Sequence, residues 1–327
     1  AFLAGGNLHY SFKGFHVGAT GVFYSYSLPL YPDKSQLYKR FAPEGKSFWN
    51  MSVDYGYVSH RLTMQGETAM GDCGVVATVN SMSYLFSEKW SLLALYRFYP
   101  YRYYAMYSNS FKAGSDVQDE SGGYVGMRWT PSAKWMVEAY GDVAYFAWPK
   151  YHTTGSTYAM DYLVSAVCQL SSFISMGARY QYKWKNEATT QRARLYLRMN
   201  RSAWSSKTQV DATWLSSSRG YMASEAFAYR YRWLRLQASM GYFHTSDYDS
   251  RVYALEPGML YTMSFGSYFG EGIRCALLAK VDVGSHWLLA CKWAMTQYFD
   301  RNHISSGLQQ INGSCQSDLE LQLKWKW

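Results

Sequence analysis

Residues 317–327 read "SDLELQLKWKW", with Leu319, Leu321, Leu323, Trp325 and Trp327 alternating with Asp318, Glu320, Gln322, Lys324 and Lys326. Successive side chains of a β-strand point to opposite faces, so this stretch forms a strand with one apolar and one charged face. As the edge of a soluble sandwich, such a row of large apolar groups would template aggregation.

The same two-faced pattern recurs upstream. Six short turns hand over directly to an aromatic residue: SEKW at Trp90, SAKW at Trp135, SSF at Phe173, RSAW at Trp204, YRW at Trp233 and GSHW at Trp287. Each opens about ten residues of apolar–polar alternation, the pattern of a membrane-spanning strand anchored by an aromatic at the lipid–water boundary. Trp90, Trp135, Trp204, Trp287, Trp325 and Trp327 share the apolar phase of their strands and are expected to form an aromatic girdle. Phe173 and Trp233 fall one residue out of phase and are expected to cap their turns.

Composition agrees. Aromatic residues make up 19% of the chain, including 32 Tyr and 13 Trp, more than one buried core needs. The mean hydropathy is nevertheless only -0.30, as expected of a surface half in lipid and half in water. Nowhere do about 18 apolar residues run together, which excludes a helical membrane protein. The expected fold is therefore all-β, a transmembrane antiparallel up-and-down β-barrel forming a single domain over 1–327.

Alternation predicts strands near 2–12, 15–25, 47–58, 61–70, 74–85, 90–101, 120–130, 135–145, 157–170, 173–184, 189–200, 204–215, 220–230, 233–243, 250–256, 259–267, 272–283, 287–299 and 315–327. The hairpin at Glu256, Pro257 and Gly258 rests on a turn signal alone, so the expected total is about 18 to 20 strands. Short turns alternate with the long connections 26–46, 101–119, 146–156 and 300–314, which places the short ones on the periplasmic side. Followed backwards, this alternation leaves the first strand pointing downward. Either a strand is missing upstream or one hairpin is misassigned. The start at Ala1 has no basic segment or cleavage site and already alternates, as expected of a mature chain or an excised domain.

The polar face carries the chemistry. Arg179, Lys183 and Lys185 on one strand, and Arg192, Arg194 and Arg198 on the next, share the lumen phase, and Lys207 and Arg235 extend this basic wall. With a net charge of +9, such a wall favours anionic solutes or polymers. The alternative is neutralisation by Glu138, Asp142, Asp161 and Asp211 in a structural ion network. The loop "YPYRYYAMYSNSFK", 99–112, interleaves bases with aromatics, a combination suited to a lumen plug, a surface loop on lipopolysaccharide, or base stacking.

No enzyme is expected. The seven histidines show no metal-ligand spacing. His244 with Ser246, Asp249 and Ser250 is the only crowded candidate for a nucleophile and base. Asp247 and Asp249 fall short of the roughly six to eight oxygens that Ca²⁺ takes. The odd count of five cysteines, at 73, 168, 275, 291 and 315, makes no C-x-x-C; Cys73 and Cys315, both expected near the outer rim, could form a bridge. No cofactor is expected.

Two resemblances add to this. The final strand resembles the C-terminal assembly signal of outer-membrane barrels, although it lacks the inward Gly that usually accompanies it. The stretches "SSRGYMASEAFAYRYRWLRLQASMGYFHTSDYDSRVYALEPGMLY", 217–261, "YFGEGIR", 268–274, and "DESGGYVGMRW", 119–129, resemble the barrel domain of Gram-negative outer-membrane proteins that carry a helix-hairpin-helix module. The resemblance implies an outer-membrane location in a Gram-negative bacterium. It further implies contact with lipid, lipopolysaccharide and the barrel assembly machinery, and a role in DNA capture or passage, with nucleic acid as a partner. Nothing of the helical module itself is found in this sequence. A plugged structural or secretion-associated barrel is a third expectation.

Overall fold

The structure, a computed structural model, describes residues 1–325. The chain forms β1 (Phe2–Phe12), β2 (Phe15–Leu30), β3 (Gly45–Val58), β4 (Leu62–Gly71), β5 (Val76–Ser87), β6 (Trp90–Tyr99) and β7 (Glu120–Ser132). Next come β8 (Trp135–Phe146), β9 (Thr157–Gln169), β10 (Ile174–Lys185), β11 (Ala188–Asn200), β12 (Trp204–Leu215), β13 (Arg219–Tyr231) and β14 (Leu234–Thr245). The remaining strands are β15 (Val252–Leu255), β16 (Phe265–Tyr268), β17 (Glu271–Val283), β18 (Trp287–Tyr298), β19 (His303–Ile304), β20 (Ile311–Asn312) and β21 (Cys315–Trp325). The described residues contain no α-helix; Leu37–Lys39 and Gly307–Gln309 are single 3₁₀ turns. Lys326 and Trp327, the latter expected in the girdle, lie outside the described residues.

The fold class is all-β, antiparallel and up-and-down, with 17 strands in the main sheet among the described residues. Each expected strand is found within a few residues of its place, with one exception. The segments 250–256 and 259–267, expected as a spanning hairpin, form instead the two-stranded ribbon β15–β16, running from Val252 opposite Tyr268 to Leu255 opposite Phe265, apart from the main sheet. β14 pairs directly with β17, across the gap the expected hairpin would have filled. Among the described residues β1 pairs with β2, and β21 with β18.

Contacts group the chain into two units, Ala1–Ser132 with Met136–Val164 and Tyr182–Ala188, and Ala133–Trp135 with Ser165–Gln181 and Thr189–Trp327. In the first, β1 to β7 pair consecutively. The connection 100–119 folds against the polar face of this sheet. Tyr103 and Val117 join Ala77 and Tyr99 in a buried cluster, and Ala113 packs on Ala144, Phe146 and Ala159. Beneath it lies Arg97, wholly buried. Arg97 pairs with Glu120, and with Asp142 through two bonds of 2.7 and 3.1 Å, while the Glu120 carboxylate accepts the Ala113 and Gly114 N–H groups at 2.8 Å each. Gly122 makes room, since a Cβ there would meet the guanidinium carbon at 2.7 Å.

In the second unit, β11 to β14 pair in order, followed by β17, β18 and β21. The connection 246–270 folds onto the inward face as 100–119 does. Val252 and Tyr268 pack with Met222 and Phe243, and Met259 with Leu278, Leu288 and Ala290. Gly220 lets the loop approach, because a Cβ there would stand 2.2 Å from the Ser250 carbonyl oxygen. On the opposite face Leu319, Leu321 and Leu323 are 61–75% exposed.

A buried arginine with two carboxylates is costly to break because the survivors remain charged and dry. Arg97→Met should therefore lower stability by about 3–5 kcal/mol. Adding Glu120→Gln and Asp142→Asn should restore most of the loss. Urea unfolding of the protein in lipid vesicles measures both; equal stability of the single and triple variants would show that the ion cluster is not the cause.

Candidate functional site: a basic inward wall beneath a docked ribbon

Asn186 and Glu187, both at positive φ (50° and 63°), make the tight reversal between β10 and β11, so the two strands carry their bases side by side. The register of β11 on β12 sets Arg192 opposite Thr213, Arg194 opposite Asp211, and Arg198 opposite Lys207. Arg194 donates to Asp211 at 2.6 Å. Arg198 and Lys207 sit over the same Tyr196 ring, at 5.7 and 5.4 Å from its centroid. Arg179, Arg192 and Arg194 line a cavity of about 250 Å³ with Asp211 and Thr213, and Tyr253 and Phe265 of the ribbon form its other side. Tyr253 and Phe265 are stacked at 5.5 Å, and Arg192 lies 5.8 Å from the Tyr253 centroid.

The other expected wall residues fare differently. Lys183 stands 3.8 Å from Asp161, Lys185 donates to the Ala113 carbonyl at 3.2 Å, and Arg235 pairs with Asp282 at 2.6 Å. Among the described residues, Arg179, Lys185, Arg192, Arg198 and Lys207 have no carboxylate in ion-pair contact. Of the expected lumen acids, Asp161 and Asp211 meet wall residues. Asp142 is instead committed to Arg97, and Glu138 to Arg128 at 3.4 Å. The network of neutralised charges is thus partial, and the cavity keeps two arginines beyond its one ion pair.

The ribbon is pinned by polar contacts that alternation alone did not reveal. Arg274 grips Glu256 with two bonds of 2.8 and 2.9 Å, and Tyr268 donates to the same carboxylate. Lys280 donates to the Gly258 carbonyl at 2.9 Å and Lys292 to the Ser264 hydroxyl at 2.6 Å. Gln322 bonds both the N–H and the carbonyl of Leu260, at 2.9 and 3.2 Å. Burial by itself would raise the Glu256 carboxyl; the Arg274 and Tyr268 hydrogen bonds outweigh it and hold the group below its ordinary range. The sequence signal available was Arg274 and Lys280, charges on the polar phase of β17 with no acid directly opposite on β14 or β18; Lys292 on β18 faces Glu320 of β21 at 3.3 Å.

Trp90 pairs with Trp129 across β6–β7, rings 5.8 Å apart, and Trp287 with Trp325 across β18–β21 at 6.1 Å. Trp204 stacks on Phe227 at 6.2 Å, and Trp135 is exposed. Phe173 and Trp233 stand just before β10 and β14, in their turns. His244 faces Glu271 at 3.6 Å, while buried Ser250 gives its hydroxyl to Asp247. All five cysteines are free, and Cys73 and Cys315 are not bridged. The described residues hold no cluster of three potential metal ligands.

No family model and no curated protein matches the chain, and the resemblance to helix-hairpin-helix proteins gains no support from either comparison. Solved structures do match. The copper transporter OprC is 9% identical with a TM-score of 0.48, over 90% of this chain and 60% of that one. The FrpB iron transporter from Neisseria meningitidis is 8% identical with a TM-score of 0.48, over 99% and 71%. A mutant Rh. blastica porin is 8% identical with a TM-score of 0.39, over 99% and 100%. Likeness at this level carries no cargo or mechanism to this chain.

Because the folded Glu256 carboxyl titrates below its ordinary value, its contribution to holding the ribbon is complete above about pH 4.3 and is lost as pH falls through the depressed value. Glu256→Gln should free the ribbon at neutral pH. Hydrogen exchange of 246–270 reads both: protection should fall in the variant at pH 7, and in the wild type only under acid. Unchanged protection in the variant would contradict the Arg274 clamp.

Proposed function

We propose that this chain is an integral outer-membrane β-barrel protein of a Gram-negative bacterium, a non-enzymatic conduit for small anionic solutes past a basic inward face. The observation that carries this reading is the cavity of Arg179, Arg192 and Arg194 with a single carboxylate, Asp211. A fixed excess of positive charge on a low-dielectric wall raises the local concentration of anions and lowers their energy in transit. Conduction needs this attraction to stay weak enough for release, and the Arg194–Asp211 pair tempers it.

The membrane reading is supported by strand length and by the one-sided exposure of apolar groups. β10 to β14 run 12–13 residues, enough to cross a bilayer at the usual tilt. Met176, Tyr180, Leu195 and Val210 are exposed on the face opposite the arginines. Trp90–Trp129 and Trp287–Trp325 would sit at the lipid–water boundary. Partners in this reading are lipid, lipopolysaccharide and the assembly machinery. A second reading, a barrel shut by its own loops, is favoured by the contacts that pin 246–270.

In planar bilayers, reversal potentials under a salt gradient should show anion preference for the wild type. Arg192→Ala/Arg194→Ala/Arg198→Ala should bring the anion-to-cation permeability ratio to about one, as expected when a charged constriction loses its charge. Deleting 252–268 should enlarge conductance. A silent wild type that opens on deletion would favour the shut barrel, and an unchanged ratio in the triple variant would place selectivity elsewhere.

A further inference from the structure

A second cavity, of about 400 Å³, lies in the first unit between the inward faces of β2 to β6 and the connection 100–119, and its chemistry differs from that of the arginine cavity. No lysine or arginine lines it, and Glu67 is its only charged side chain. Its volume falls in the range of small-molecule sites, roughly 300–1,000 Å³. We infer that this cavity binds a neutral saccharide, stacked on Tyr107 and hydrogen-bonded by Glu67 and the amide and hydroxyl groups around it.

Three observations lead there. First, the absence of basic groups gives an anion no counter-charge, so the ligand of the arginine cavity has no place here. Second, the lining aromatics are not equivalent. Tyr24, Tyr99 and Tyr103 are only 1–3% exposed, and the Tyr24 and Tyr99 hydroxyls are occupied by Asn50 and by Ser110 and Phe111. Tyr107 is 56% exposed, its ring held edge-on to Tyr24 at 5.1 Å. One open ring is a platform for the apolar face of a pyranose; a cage for an organic cation needs several open faces. Third, Glu67, Ser52, Ser108 and Asn109 line the same space, and none has a side-chain hydrogen-bond partner among the described residues. They offer acceptors and donors together, which is what vicinal hydroxyls require.

This inference is independent of the anion reading, and its test separates the two. Calorimetric titration of the full chain in detergent micelles would use neutral trisaccharides of glucose, galactose and N-acetylglucosamine, with citrate and tetramethylammonium as comparators. At least one trisaccharide should bind saturably. Tyr107→Ala and Glu67→Gln should each weaken it about tenfold, the loss expected of a hydrogen bond to a charged group or of a stacking ring. Arg192→Ala/Arg194→Ala should leave it unchanged. Both Tyr107 and Glu67 are exposed, so the variants should keep the heat-modifiable electrophoretic shift of the folded protein. Binding by none of the three sugars, affinity untouched by both variants, or tetramethylammonium binding at this site in place of sugar would each overturn the assignment.

Discussion

A strand offers only two faces, and when one is given to apolar side chains every charge is forced onto the other. In this protein that rule leaves bases and acids crowded on the polar side of a large antiparallel sheet, where each must find water, a counter-charge or a backbone group. Two long connections answer the need in the same way. An inward arginine of a strand, Arg97 or Arg274, grips a carboxylate at or near a connection, Glu120 or Glu256. The backbone of the connection is thereby drawn against the sheet: Ala113 and Gly114 bond Glu120, and Lys280 holds Gly258. Ion pairs in such settings add little net stability over apolar packing.

Not every base is satisfied by this arrangement. Arg179 and Arg192 face the β15–β16 ribbon with aromatic neighbours and without an ion pair, whereas the polar groups around Glu67 and Tyr107 face 100–119 without bases. The two cavities thus differ in charge although both are built from inward strand faces roofed by a connection. On the two proposals, which are independent of each other, the first cavity favours anions and the second binds a hydroxyl-rich neutral solute. Selectivity would arise from which inward side chains the roof leaves uncovered.

Most of the fold was legible in the sequence because period two is a local signal. The turns before Trp90, Trp135, Trp204 and Trp287 mark strand starts to the residue. The ribbon was misread for the same reason: Val252–Leu255 and Phe265–Tyr268 are genuine strands, and alternation cannot tell a strand in the sheet from one laid upon it. The Arg179, Arg192 and Arg194 grouping was legible from phase on adjacent strands. The Arg97 cluster was not, since its acids lie 23 and 45 residues away and Leu93, Leu95 and Tyr99 share its phase, disguising the inward face as apolar. Nor was the Glu67 cavity, whose residues come from five strands and a loop.

On the proposed function, the apolar face of this sheet meets lipid while the charged face meets water and the protein's own loops. Spin labels placed one at a time along β11, from Arg192 to Met199, in lipid vesicles test it most directly through their collision rates with oxygen and with a water-soluble nickel chelate. A period of two is expected, with Ala193, Leu195, Leu197 and Met199 open to oxygen and shielded from nickel, and Arg192, Arg194 and Arg198 shielded from oxygen. Nickel access at Leu195 and Leu197 equal to that at Arg194 would contradict it.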